Sequence, residues 1–112
     1  MSEVLIHDFP FNVTRTWGKF LQFTKNENTT VKLLQLDKGK SISYQYHNHR
    51  EEFWYLLSGR CWFVNGQVSG LLMPGEDVTI PKLSRHKLEG LEDSIVLEIS
   101  KGLFDEHDIV RL

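Results

Sequence analysis

Between Gly39 and Gly59 the chain reads Gly-Lys-Ser-Ile-Ser-Tyr-Gln-Tyr-His-Asn-His-Arg-Glu-Glu-Phe-Trp-Tyr-Leu-Leu-Ser-Gly, and most of its chemistry-bearing side chains fall here. In extended backbone alternate side chains share a face, so Gln45, His47 and His49 point one way and Tyr44 and Tyr46 the other. Past the Asn48-His49-Arg50 turn, Glu51 and Glu52 open the apolar run Phe53–Leu57, whose composition predicts an antiparallel neighbour. A carboxylate at its start then meets the histidines. Imidazole nitrogens and a carboxylate converging from adjacent strands suit a divalent metal ion, because a sheet holds them without loop flexibility. A further ligand must come from elsewhere, and His86, beyond the strand that stops at Pro81, is the candidate.

The elements that must position these residues are short strands. Trp17–Thr24, Thr30–Asp37, Ser41–His47, Glu52–Leu57, Arg60–Val64, Gln67–Met73, Val78–Ile80, His86–Leu91, Ser94–Ser100 and Ile109–Leu112 are separated by turn residues, and Asn65-Gly66 is a strong hairpin signal. No stretch sustains a helical period. About ten short strands at even spacing predict an all-β sandwich or barrel, here a double-sheet jelly roll with a mouth where ligands from several strands meet. Residues 1–14, interrupted by Pro10, are expected to form an N-terminal arm able to pack on a partner subunit, and 15–112 the barrel domain.

The two ligand-bearing segments resemble the paired motifs of the cupin superfamily, G-x5-H-x-H-x4-E-x6-G and G-x5-P-x-G-x2-H. Counting from Gly39 puts Gln45 and His47 at the two histidines, Glu52 at the glutamate and Gly59 at the closing glycine; counting from Gly75 puts Pro81 and His86 in place. Similarity is closer to the C-terminal cupin of the type II, bifunctional mannose-1-phosphate guanylyltransferase/mannose-6-phosphate isomerases. Arg15-Thr-Trp-Gly18 is similar to their R-P-W-G, residues 45–54 to Q-M-H-H-H-R-A-E-H-W, and Asp108-Ile-Val-Arg111 to D-I-V-R. Departures are Leu83 at the second motif's glycine, Asn48 and Phe53 at two histidines, and Lys87 and Gly90 within the stretch that follows His86.

The resemblance implies a cupin jelly-roll barrel and a metal set of Gln45, His47, Glu52 and His86, with zinc ahead of iron, cobalt, nickel or manganese. It implies interconversion of mannose 6-phosphate and fructose 6-phosphate, a small-molecule sugar phosphate as partner, and a homodimer. In that reading a Lewis-acidic ion stabilises charge developing on two substrate oxygens while a nearby base shuttles a proton. His49 is a candidate proton carrier. Arg50 is the first candidate for the phosphate, because a guanidinium binds two oxygens at once; Arg15, Lys87 and Arg85 follow. Two competing functions are an iron-dependent cupin dioxygenase and a non-catalytic sugar or sugar-phosphate-binding cupin, since the fold alone transfers no function.

The bounds of the chain agree with one small domain. Its 112 residues, 40% hydrophobic and 25% charged, can bury a core without staples. A net charge of −2 offers no basic field for nucleic acid. The single cysteine, Cys61, is expected as a small buried apolar residue. Neither a signal peptide nor an apolar run of about 20 residues is evident, so a cytoplasmic location and no membrane contact are expected. Trp54, Tyr55, Trp62 and Phe63 are expected in the core, and His7 and His107 in solvated terminal segments.

Overall fold

A computed structural model describes residues 10–112, and these contain strands and no helix. The strands are β1 (Phe11–Arg15), β2 (Gly18–Gln22), β3 (Thr29–Leu36), β4 (Gln45–Tyr46), β5 (Arg50–Ser58), β6 (Cys61–Asn65), β7 (Val68–Leu72), β8 (Asp77–Ile80), β9 (His86–Gly90), β10 (Ser94–Gly102) and β11 (Val110–Arg111). β1 and β2 form a separate hairpin. The others form a four-stranded sheet, in the order β3-β10-β5-β8, and a five-stranded sheet, β11-β4-β9-β6-β7; every pair is antiparallel. The jumps in sequence between neighbours make this a double-sheet jelly roll, as the strand pattern predicts.

Period-two alternation explains why the sheets face each other. Along β5, Glu52, Trp54 and Leu56 turn inward, and the opposing side chains of β10 are Ser100, Glu98 and Val96. Trp54, Leu56, Cys61, Leu88 and Val96 have no exposed surface, and Leu36, Leu72 and Ile80 complete the core between the sheets. Cys61 is buried as expected. Trp62, on the opposite side of β6, is 41% exposed and so is not the core residue its aromatic character predicts. Its neighbours on β6 alternate inward, and the one-residue offset decides the matter.

Two predicted boundaries move. Strand β1, Phe11–Arg15, takes in the last four residues of the expected arm, and Thr16-Trp17 closes a tight hairpin onto Gly18, so Pro10 sits just before a regular element rather than preventing one. The rest of the arm, residues 1–9, lies outside the described residues. The predicted strand Ser41–His47 shrinks to Gln45–Tyr46 plus a lone bridge from Ser41 to Glu89. The Ser41 hydroxyl donates to the Ile42 carbonyl and the Ser43 hydroxyl to Gln45 Oε1, local bonds that compete with a regular ladder.

Candidate metal centre

At one end of the sandwich the inward side chains stop being apolar. Glu52 comes from β5 in the four-stranded sheet, whereas His86 begins β9 in the five-stranded sheet and His47 follows β4. Gln45 pairs with His86 across β4 and β9. One donor atom from each of His47, Glu52 and His86 lies within 4.8 Å of the others, and all three residues are buried. His47 Nε2 stands 3.5 Å from Glu52 Oε2, and His86 Nε2 stands 3.5 Å from Glu52 Oε1.

Neighbouring backbone fixes which imidazole nitrogen faces the cluster. His47 Nδ1 is 2.7 Å from the Asp108 carbonyl and His86 Nδ1 is 2.9 Å from the Ser84 carbonyl. A carbonyl only accepts, so each Nδ1 carries a proton, and whenever a ring is neutral it is the Nε2 lone pair that faces the cluster. Such orientation by a carbonyl is what metal-binding histidines require. The Asp108 carboxylate accepts from the backbone N–H of Asn48 and of His49, at 2.9 Å each, which pins the turn carrying His47. Those bonds hold the Asp108 pKa down to about 2.

Charge in the cluster is only partly balanced. Burial works against ionised Glu52, but the hydrogen bond and charge of His47, with His86 and Arg50, keep its pKa lowered. Burial also opposes charging of His47; the Glu52 carboxylate and the Asp108 carbonyl outweigh it and the pKa rises. At His86 burial prevails and the pKa falls. Glu52 Oε1 and His86 Nε2 are fully buried and have no hydrogen-bond partner. Two facing lone-pair atoms left dry cost on the order of 1–3 kcal/mol each unless a cation lies between them. Donors about 2.1 Å from one tetrahedral ion stand roughly 3.4 Å apart, so these residues fit a divalent metal.

Gln45 reaches the same cluster, with Nε2 3.5 Å from His47 Nε2 and Oε1 accepting from the Ser43 hydroxyl. A metal ligand needs the oxygen on the His47 side, and a half-turn of the amide exchanges the two atoms. Arg50 is buried and committed: Nε donates to Glu52 Oε2 at 3.2 Å and Nη1 to the Asp105 carbonyl at 3.0 Å, while its guanidinium lies 4.6 Å from the Phe104 ring centroid. His49 is exposed on the turn beyond the end of β4, where strand alternation no longer applies. Lys87, next to His86 on β9, points to the opposite side of its strand. Neither lines the cavity that opens beside the cluster.

That cavity has a volume of about 780 Å³ and includes Gln45, Arg50, Glu52 and Glu98 in its wall. Glu98 is a site residue that the sequence reading passes over. It is 6% exposed, accepts from Trp54 Nε1 at 3.1 Å, and burial together with the nearby Glu52 charge raises its pKa. The available signal is a lone charge at an inward position of β10, between Val96 and Ser100. Lys32, Arg111 and His107 also line the cavity, and the sequence reading gives none of them a role in the site. Leu83, standing where the cupin motif has glycine, adopts φ +69° and donates its N–H to the His47 carbonyl, so the loop keeps the left-handed turn that glycine would take.

Comparisons with known proteins bear on this arrangement. Mannose-1-phosphate guanylyltransferase RfbM of Salmonella typhimurium is 32% identical over 103 residues, covering 89% of this chain and 22% of that protein. Xanthan biosynthesis protein XanB of Xanthomonas campestris is 30% identical over 102 residues, with 88% and 22% covered. The chain thus spans about a fifth of the length of the curated relatives it matches. Among solved structures, the rmlC epimerase of Mycobacterium tuberculosis superposes with TM-score 0.73 at 12% identity, covering 92% of this chain and 66% of that one. A sugar phosphate isomerase of the cupin superfamily from Silicibacter pomeroyi gives TM-score 0.61 at 21% identity, covering 67% and 51%. These two establish the cupin fold. Residues 3–112 match the family model described as mannose-6-phosphate isomerase C-terminal, and the chain belongs to that family.

Proposed function

We propose that this chain is a metal-dependent aldose–ketose isomerase acting on mannose 6-phosphate and fructose 6-phosphate, with Gln45, His47, Glu52 and His86 holding a divalent ion, zinc first. The observation that carries the reading is the pair of buried, unpartnered atoms Glu52 Oε1 and His86 Nε2 beside a cavity large enough for a hexose phosphate. Family membership adds a sugar-related context. When bound, the ion supplies a Lewis acid for the C1 and C2 oxygens of the open-chain sugar.

The chain's own residues supply the rest. Isomerisation removes the proton from C2 of the aldose and returns one to C1, through an enediol. We assign that transfer to Glu98, which shares the cavity wall with Glu52. One of its oxygens is anchored by the Trp54 indole, the other makes no hydrogen bond among the described residues, and its raised pKa suits a group that gives the proton back. Arg50 and the Asp108 carbonyl hold Glu52 and His47 in their orientations. Phe104 and Ile109 form an apolar part of the wall. A second reading, a non-catalytic sugar-phosphate-binding domain, draws on the name of RfbM, a mannose-1-phosphate guanylyltransferase of which this chain covers 22%.

A coupled assay for fructose 6-phosphate, on protein stripped with chelator and resupplied with zinc, cobalt, manganese or iron(II), tests the proposal. Turnover is expected to disappear together with zinc binding in Glu52→Gln. In Glu98→Gln zinc binding should persist while turnover falls by about 10²–10⁴. Stoichiometric zinc with no turnover under any metal would leave the binding-domain reading in its place.

A further inference from the structure

The isomerase reading requires a cation for the substrate phosphate, and the side chain best suited by type is already occupied. Arg50 spends its donors on Glu52 and on the carbonyls of Asp105 and Asp108 and is 6% exposed. Arg15 lies in the β1–β2 hairpin, and Arg85 and Lys87 are outside the cavity wall. Two cationic side chains of that wall remain without an ion pair among the described residues, Lys32 and Arg111.

Their places in the fold are equivalent. Lys32 is on β3, the edge strand of the four-stranded sheet, opposite Glu98 in the inward register. Arg111 is on β11, the edge strand of the five-stranded sheet, opposite Gln45. In one sheet Lys32 stands two strands from β5, which carries Glu52; in the other Arg111 stands two strands from β9, which carries His86. Two strand spacings are about 9–10 Å of backbone, shortened by side chains that lean into the cavity. A hexose 6-phosphate separates its reacting C1 and C2 from the phosphate by the rest of its six-carbon chain. Phe104 sets the lysine in place, with Lys32 Nζ 4.5 Å from its ring centroid.

We infer that Lys32 and Arg111, one from each sheet, form an anion subsite that takes the phosphate of a phosphorylated sugar whose reacting end lies at the His47–Glu52–His86 cluster. This rests on the proposed isomerase reading for its sugar, but the subsite itself is a claim about phosphate. Arg111 presents a planar fork to two phosphate oxygens, and Lys32 a point charge to a third.

The test is calorimetric titration of the zinc-loaded protein with inorganic phosphate and, separately, with mannose 6-phosphate. Both side chains sit at the rim on edge strands, so Lys32→Met, Arg111→Gln and the double variant should retain the wild-type melting temperature. The double variant is expected to bind phosphate and mannose 6-phosphate at least about tenfold more weakly, each single variant accounting for part of the loss. Lys25→Met, in the exposed turn before β3, should bind as wild type does. Unchanged phosphate affinity in the double variant would place the anion on the metal and overturn the inference, as would absence of phosphate binding by the wild type. Loss of the isomerase reading shows separately, as a wild type that binds phosphate through these residues and turns over no sugar.

Discussion

Strands β5 and β10 run through both ends of the sandwich, and the two ends differ in chemistry while sharing one register. Toward one end the inward pair is Leu56 with Val96, both without exposed surface, closed off by Cys61 and Leu72. Toward the other it is Glu52 with Ser100, next to Trp54 with Glu98. The apolar end is dry and also crowded: at Gly59, φ +93°, a β-carbon would meet the Ser94 hydroxyl and the Asp93 carbonyl. At the polar end two buried atoms lack partners and a cavity opens. A single pair of strands thus contributes a packed apolar core at one end and a buried cluster with two unpartnered polar atoms at the other, and an unsatisfied buried polar group costs stability.

The largest expected effect comes from breaking the apolar end. Leu56→Ala removes a fully buried side chain and should cost about 2–5 kcal/mol, a fall in Tm on the order of 10 °C or more, with zinc stoichiometry unchanged in the folded protein. Thermal unfolding with and without zinc measures both, and a shift of only a degree or two would mean that this end does not hold the fold.

A smaller effect is expected at the clamp beneath the cluster. Asp108 has a folded pKa of about 2, below its unfolded value near 3.9, so its contribution is present above pH 4 and is lost as pH falls from there through 2. Asp108→Asn should lower Tm by about 5 °C at pH 7, because an amide NH₂ then faces a backbone N–H. The gap to wild type should narrow as pH falls toward 2. Equal Tm values at pH 7 would contradict a role for this clamp.

The smallest effect has the opposite sign and sharpens the contrast. Burial raises the Glu98 pKa, so the folded state favours its proton: wild type gains stability as pH falls through the raised value and is penalised above it. Glu98→Gln keeps an acceptor for Trp54 Nε1 without the charge. Its Tm at pH 7 should equal or exceed that of wild type by up to about 5 °C, the difference closing in acid. A clear fall in Tm would show that the charged carboxylate supports the fold rather than the chemistry.

Much of this was legible in the chain. The apolar run Phe53–Leu57, the even spacing of short strands, the Asn65-Gly66 turn and the spacing of His47, Glu52 and His86 are local or motif-level facts, so the all-β architecture and the three clustered residues could be named before any coordinates. Element edges were less legible, because Ser41 and Ser43 divert local hydrogen bonds and shorten β4. The expectation that His49 shares the face of Gln45 and His47 assumed a strand continuing where the chain bends.

What the sequence determined by itself is the set of donors and the alternation that turns them inward, since side-chain type and strand period are properties of the chain alone. Only the tertiary structure decided which groups the closed sandwich brings to one end. It places the Asp108 carbonyl against His47 across 61 positions, commits Arg50 to Glu52 and to the 105–108 segment, and brings Glu98, Lys32 and Arg111 around one cavity. Those assignments depend on how two sheets pack and where their edge strands lie, and no local pattern encodes a contact between residues so far apart in the chain.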